Sequence, residues 1–226
     1  MNLDILINRL RHEVETAIRV FYAYARVNQL LSEQQYVNLI NKNVHFWRIF
    51  LSSTQTKLFI ALGRLYDDSN DAFSFHGFMK TCRENITEFD RDNYEKRILK
   101  DYTERPAWLD DRLRDSYFAE VEDMNKLSKL AKPYNKIMKG LYKEIRSKVF
   151  AHAIHTDNTV IANLFEGINL EDIENALKTL WSIYNQIWHM YYNGRKPSFE
   201  IEEYHYKDEV DNCINLAVMK ENIEKT

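Results

Sequence analysis

Apolar residues recur at steps of three and four from the first residues of the chain. Leu3, Leu6, Leu10, Val14, Ile18, Phe21 and Ala25 alternate with charged positions, which predicts an amphipathic helix ending near Leu31. Ser32 then reads as the N-cap of a second helix, with Gln35 as its capping-box partner. Tyr36, Ile40, Val44, Trp47, Leu51, Leu58, Leu62 and Leu65 carry that helix, with a bend expected near Ser52–Ser53. The run YDDSNDAFS, Tyr66 to Ser74, has loop composition, and Ser74 caps a short helix through Phe75, Phe78, Met79 and Cys82. Glu88 to Asp101 is charged and weakly periodic, which predicts a peripheral helix. Pro106 stands at the expected start of a helix carrying Leu109, Leu113, Tyr117, Val121, Met124 and Leu127.

Pro133 predicts an end or a bend, because proline lacks the helical N–H and its ring crowds the preceding turn. Beyond it, Ile137, Leu141, Ile145 and Val149 form one stripe, and Thr156 to Gly167 reads as an ordered loop. Asn169 or Asp172 opens a strongly amphipathic helix through Ile173, Leu177, Leu180, Tyr184, Ile187 and Tyr191, which Gly194 stops. After Pro197 the stretch FEIEEYHY reads as an extended arm, followed by a last helix from about Asp208. The pattern is that of an all-α bundle of four long helices with short peripheral ones. Residues 1–195 are assigned to the bundle and 196–226 to a C-terminal extension.

Composition agrees with long helices. The 226 residues contain only 5 Gly and 3 Pro, against the roughly 7% and 5% usual in soluble proteins, while 45% are apolar or aromatic. Charged residues arrive too early in MNLDILINRLRHEVE for a signal peptide, and no apolar run approaches the length of a bilayer span. Cys82 and Cys213 match no metal or redox spacing, so a reducing, cytoplasmic setting is expected, with no membrane partner.

Net charge is −3, but the basic residues are not spread evenly. Between Lys126 and Lys148 stand Lys126, Lys129, Lys132, Lys136, Lys139, Lys143, Arg146 and Lys148, with Glu144 the only acid. This interval ends in RSKVFAHAIHTD, Arg146 to Asp157. At 100° per residue, Lys136, Lys139, Lys143 and Arg146 form a stripe running toward His152 on the neighbouring apolar face.

Such a combination suits RNA cleavage without metal. A histidine titrates near neutrality and can move the proton of a 2′-hydroxyl or of the leaving oxygen. An arginine fork can hold the charge that develops on the phosphoryl oxygens. Flanking lysines follow a phosphate backbone irrespective of sequence. No carboxylate cluster accompanies the pair, so neither metal nor cofactor is expected.

Plainer readings stand beside this one. His152 also suits a hydrogen-bonded core residue, and the lysines suit a solvated helix face. With 14 Arg and 7 His, an Arg–His pair at this kind of spacing arises by chance about once. His152, His155 and Asp157 offer a remote metal-ligand reading. Glu202 and His205 show a single Glu-x-x-His spacing in a segment read as extended, which does not make a di-iron motif.

RSKVFAH resembles the signature of HEPN-domain ribonucleases, an arginine and a polar residue followed by a histidine near a helix end. TKLFIALGRLYDDSNDAFSF, Thr56 to Phe75, is similar to the Leu-rich, Arg-x-x-Asp, Ser-flanked segment of the AbiU-type branch. KVFAH, its spacing to NLEDIENAL and the helix that follows fit the same branch. The likeness runs from about His45 to Tyr191 with its parts in order.

This resemblance implies a homodimer of HEPN bundles with an Arg–His pair from each subunit in a composite cleft. The implied activity is metal-independent endoribonucleolytic cleavage leaving a cyclic phosphate, in phage defence or a toxin–antitoxin system. Carried over by position, Arg146 is the phosphate-stabilising cation, His152 the proton-transfer residue and Ser147 the orienting neighbour, with Lys136, Lys139, Lys143 and Lys148 on the RNA backbone. Five residues separate the pair where four is commoner. Ile154 stands where some toxins of the superfamily carry a tyrosine modified by a nucleotidyltransferase antitoxin, so the kind of antitoxin, if any, stays open. The rival expectation is a HEPN-fold module that binds RNA or protein without cutting.

Overall fold

The computed structural model describes residues 2–67, 73–145, 169–204 and 207–219. Within them the chain is all-α, and no strand occurs among the described residues. Four long helices make the frame: α1 (Leu3–Leu31), α3 (Val44–Leu65), α7 (Val121–Ile145) and α8 (Leu170–Asn193). Shorter elements surround it, namely α2 (Gln34–Lys42), α4 (Phe75–Glu84), a 3₁₀ turn at Ile86–Phe89, α5 (Arg91–Leu99), α6 (Leu109–Asp115) and α9 (Lys207–Met219). The long-helix bundle expected from periodicity is therefore present.

α1 runs through the middle, with α3, α8 and α9 against it, while α7 lies on α8, α3 and α4. Its stripe of Leu3, Leu6, Leu10, Val14, Ile18 and Phe21 is buried, as the three- and four-residue spacing requires. On α8 the helix is buried nearly all round, including Thr179, Ser182 and Gln186. Hydroxyls there turn inward: Thr179 Oγ1 donates to Asn175 O and Ser182 Oγ to Lys178 O, both at 2.8 Å.

Several caps follow the sequence. Ser74 Oγ accepts from the Gly77 N–H at 3.2 Å, Asn169 Oδ1 accepts from Glu171 N–H at 3.0 Å, and Gly194 closes α8 in the left-handed region at φ 57°. Ser32 departs from expectation. Its hydroxyl donates back to Gln29 O at 2.7 Å and ends α1, and α2 begins after Glu33 without a side-chain cap. The second predicted helix is also two helices, divided at Asn43 rather than bent at Ser52–Ser53. Asn43 donates its N–H to Ile40 O and gives its carbonyl to Trp47 N–H, which ends one helix and starts the next.

Likewise, the helix expected after Pro106 divides. α6 ends at Asp115, and the following residues leave helical geometry because Tyr117 N–H donates to Gly194 O at 2.7 Å across the fold. Buried Asp123 then restarts the helix, accepting from Glu120 N–H at 2.9 Å and from the Tyr117 hydroxyl at 2.6 Å. Burial and the Asp123 carboxylate push the Tyr117 phenol up to about 12.

The arm after Pro197 lies along α8 of its own chain. Gln186 Oε1 accepts from Phe199 N–H at 2.7 Å while its amide donates to Glu200 O at 3.0 Å, and Ser182 Oγ accepts from Glu202 N–H at 2.7 Å. These bonds satisfy the buried polar side chains Ser182 and Gln186 of α8.

Candidate functional site

α7 is the described part of the candidate site, and Pro133 does not break it. The helix runs unbroken from Val121 to Ile145. Pro133 withholds a donor from the carbonyl of Lys129, and both residues are exposed, so water can serve that carbonyl. Continuity changes the phase of the helix. Met124, Leu127, Ala131 and Met138 are fully buried, whereas Ile137, expected on the apolar stripe, is 44% exposed. The core face is set by residues before the proline, which are locked against α4 and α8.

With that phase, Lys129, Lys132, Lys136, Lys139 and Lys143 succeed one another at steps of three, four, three and four. At 100° per residue they span an arc of about 80° on the side away from the buried stripe. Lys129, Lys132 and Lys136 are exposed and Lys139 is half-buried. Lys143 occupies the next register position, and its side chain is outside what the structure describes. The basic face thus begins earlier than sequence reasoning placed it. Lys129 and Lys132 belong to it, and their regular spacing was the available signal once the proline is read as tolerated.

No acid interrupts α7 between Asp123 and Glu144. At its N-terminal half, Lys126 Nζ lies 5.5 Å from the centroid of the Phe199 ring, and Arg83 of α4 donates to Ser128 Oγ at 2.9 Å. Successive lysines are about 5 Å apart along the axis. A row of ammonium groups of this kind can follow a polyanion backbone without reading its sequence.

Arg146, Ser147, Lys148 and His152 lie outside the described residues, as do His155, Asp157 and His205. Glu202 is described, and its carboxylate accepts from Asn185 at 3.0 Å as part of the arm's attachment to α8. Among the described residues no three His, Cys, Asp or Glu side chains converge as a metal site would require. No described helix is long and apolar enough to cross a membrane.

Four long helices, one of them carrying a basic track, define an all-α helical-bundle protein. The HEPN AbiU2 family profile matches residues 2–212, and the chain belongs to that family, abortive-infection-related HEPN domains. The match covers the C-terminal arm and part of α9 as well as the bundle. No curated protein and no solved structure matches the chain.

Proposed function

We propose that the protein is a metal-independent endoribonuclease acting as a phage-defence or toxin–antitoxin effector in the cytoplasm. The observation that supports this most strongly is the lysine face of α7, spaced three, four, three, four and running toward Ile145, the last described residue before Arg146. RNA lies along this face through its phosphates. His152 accepts the proton of a 2′-hydroxyl, whose oxygen attacks the adjacent phosphorus. The bond to the 5′-oxygen breaks, that oxygen takes a proton, and a 2′,3′-cyclic phosphate remains. Arg146 holds the charge on the phosphoryl oxygens, and Ser147 orients the pair. Lys136, Lys139, Lys143 and Lys148 carry the backbone contacts. Two subunits form the cleft, each with its own pair, and an antitoxin of nucleotidyltransferase or another type restrains it.

The test is purified protein on a mixed RNA pool in EDTA, comparing wild type with Arg146→Ala and His152→Ala, with thermal melts of all three. Cleavage by wild type that is lost in both normally melting variants is the expected result. Equal cleavage in the variants would place the chemistry elsewhere. Salt-dependent binding without cleavage by any folded sample would instead identify a binding module.

A further inference from the structure

Two open cavities meet at Arg112, about 480 Å³ on one side and about 310 Å³ on the other. Both fall within the roughly 300–1,000 Å³ common for ligand sites. The smaller is aromatic, lined by Tyr94, Ile98, Trp108, Arg112 and Tyr192. Trp108 is 47% exposed at its edge, and the 50% exposed Tyr102 meets it edge-to-face at 5.7 Å. In the larger groove Arg112, Arg195 and Lys196 stand against a single carboxylate, Asp115. Arg105 engages Glu95 and Asp110, and Arg114 engages Asp111 at 3.0 Å, while exposed Glu120 stands close enough to Tyr117 of the groove for its charge to act on the phenol.

Arg112 is held in place rather than loose. Its Nε donates to the Tyr94 hydroxyl at 3.1 Å and its Nη2 to Asn193 O at 2.9 Å, and neither bond uses Nη1. Lys196 lies 5.9 Å from the ring of Tyr117, just before α7 begins, and Lys126 lies over Phe199 of the adjacent arm. The cations of the groove thus stand beside the start of α7, whose first turn carries exposed Glu122 and buried Asp123 before the lysine face begins. An apolar surface for a protein partner would need the aromatic patch to extend; here it gives way to cations.

We infer that this cleft is a second RNA site, which stacks an unpaired nucleobase on Trp108 beside Arg112 and passes its phosphates over Arg195 and Lys196 onto α7. Stacking needs a free base face, so the cleft selects single strands over duplexes. From Lys126 to the end of α7 is about 30 Å at 1.5 Å per residue, so the anchored base lies well apart from the Arg146 end. The inference rests on the RNA reading of the α7 lysines but not on cleavage.

Fluorescence anisotropy of a labelled single-stranded 20-mer RNA and of its blunt duplex tests it, using His152→Ala protein so that the probe survives. Trp108→Ala weakens the single strand about tenfold, the order expected for loss of one stacked base, and leaves the duplex unchanged. Trp108→Phe, which keeps a stacking face, restores most of the binding and separates stacking from a folding defect. Arg195→Glu with Lys196→Glu lowers the salt slope by about 1.4, for two phosphate contacts on a single strand. Binding unchanged in Trp108→Ala, or equal losses for strand and duplex, would overturn the cleft. Because wild-type cleavage is scored separately, an active nuclease with an inert cleft and a working cleft without cleavage give different results.

Discussion

Gly194 carries a prediction that can be worked through atom by atom. It ends α8 at φ 57°, a region that costs a residue with a side chain about 1–2 kcal/mol. A Cβ built there would lie 2.7 Å from both Cβ and Oγ of Ser116 and 3.2 Å from Cζ of Tyr94. Ser116 is not free to retreat, because the next residue, Tyr117, donates its N–H to Gly194 O at 2.7 Å. Relieving the overlap means stretching that bond or shifting the start of α7, an overpacking cost of about 1–3 kcal/mol. Gly194→Ala should therefore lose about 3 kcal/mol, or about 6–12 °C in Tm for a chain of this size. Gly140 is the internal control: it is exposed in α7 with nothing within 4 Å of an added Cβ, so Gly140→Ala should gain about 1 kcal/mol. In thermal melts and urea titrations the two alanines should move in opposite directions. Ser116→Gly removes both 2.7 Å contacts but also the 2.7 Å bond from Ser116 Oγ to Arg112 O. The cost of Gly194→Ala is therefore compared within the Ser116→Gly background, where it should fall by roughly half and leave the backbone strain. A Gly194→Ala protein melting within 2 °C of wild type, or a Gly194→Ala loss just as large in the Ser116→Gly background as in the wild type, would refute the reasoning.

Two further predictions concern groups that bind elements together. Arg97 donates to Glu88 O at 2.6 Å and to Tyr191 O at 3.0 Å, with its guanidinium carbon 3.8 Å from the Tyr191 ring centroid. Arg97→Ala should cost about 3 kcal/mol in urea titrations, and Arg97→Lys should recover less than half, since an ammonium cannot reach both carbonyls and stack; full recovery by lysine would show that charge alone matters. His189 is held below its usual 6.5 by burial and then by Arg195, and Asn193 Nδ2 lies 3.0 Å from its Nδ1. A depressed histidine folds preferentially neutral, so stability should fall as pH drops below about 6.5, where the unfolded chain binds the extra proton. The Tm loss between pH 7 and pH 5 should be smaller in His189→Gln, and an identical loss in the two proteins would remove His189 from the account.

Much of the frame was legible along the chain because local physics decides it. A stripe such as Leu3–Phe21 has one way to bury itself, and Ser74, Asn169 and Gly194 act on the backbone within a few residues of themselves. The misread boundaries have a common cause. Ser32 carries a hydroxyl that suits either end of a helix, and only the position of Gln29 O in the folded α1 selects one. No proline or glycine marks the break after Asp115; it is made by Gly194, 77 positions after Tyr117, a pairing that periodicity does not contain.

The same division runs through the candidate site. Alternation of lysines with apolar residues determined by itself that a basic face would exist on the helix before Arg146, and the ordered motifs determined the family. Tertiary packing decided where that face begins, because Met124, Leu127 and Ala131 are buried in the core and the helix continues through Pro133, which brings Lys129 and Lys132 into the row. Packing also joined Trp108, just before α6, and Arg112 of α6 to Arg195 and Lys196 beyond α8, residues more than 80 positions apart. Periodicity reports which face of one helix seeks the core; it carries no information on which helix ends meet, since that depends on how several buried surfaces fit at once.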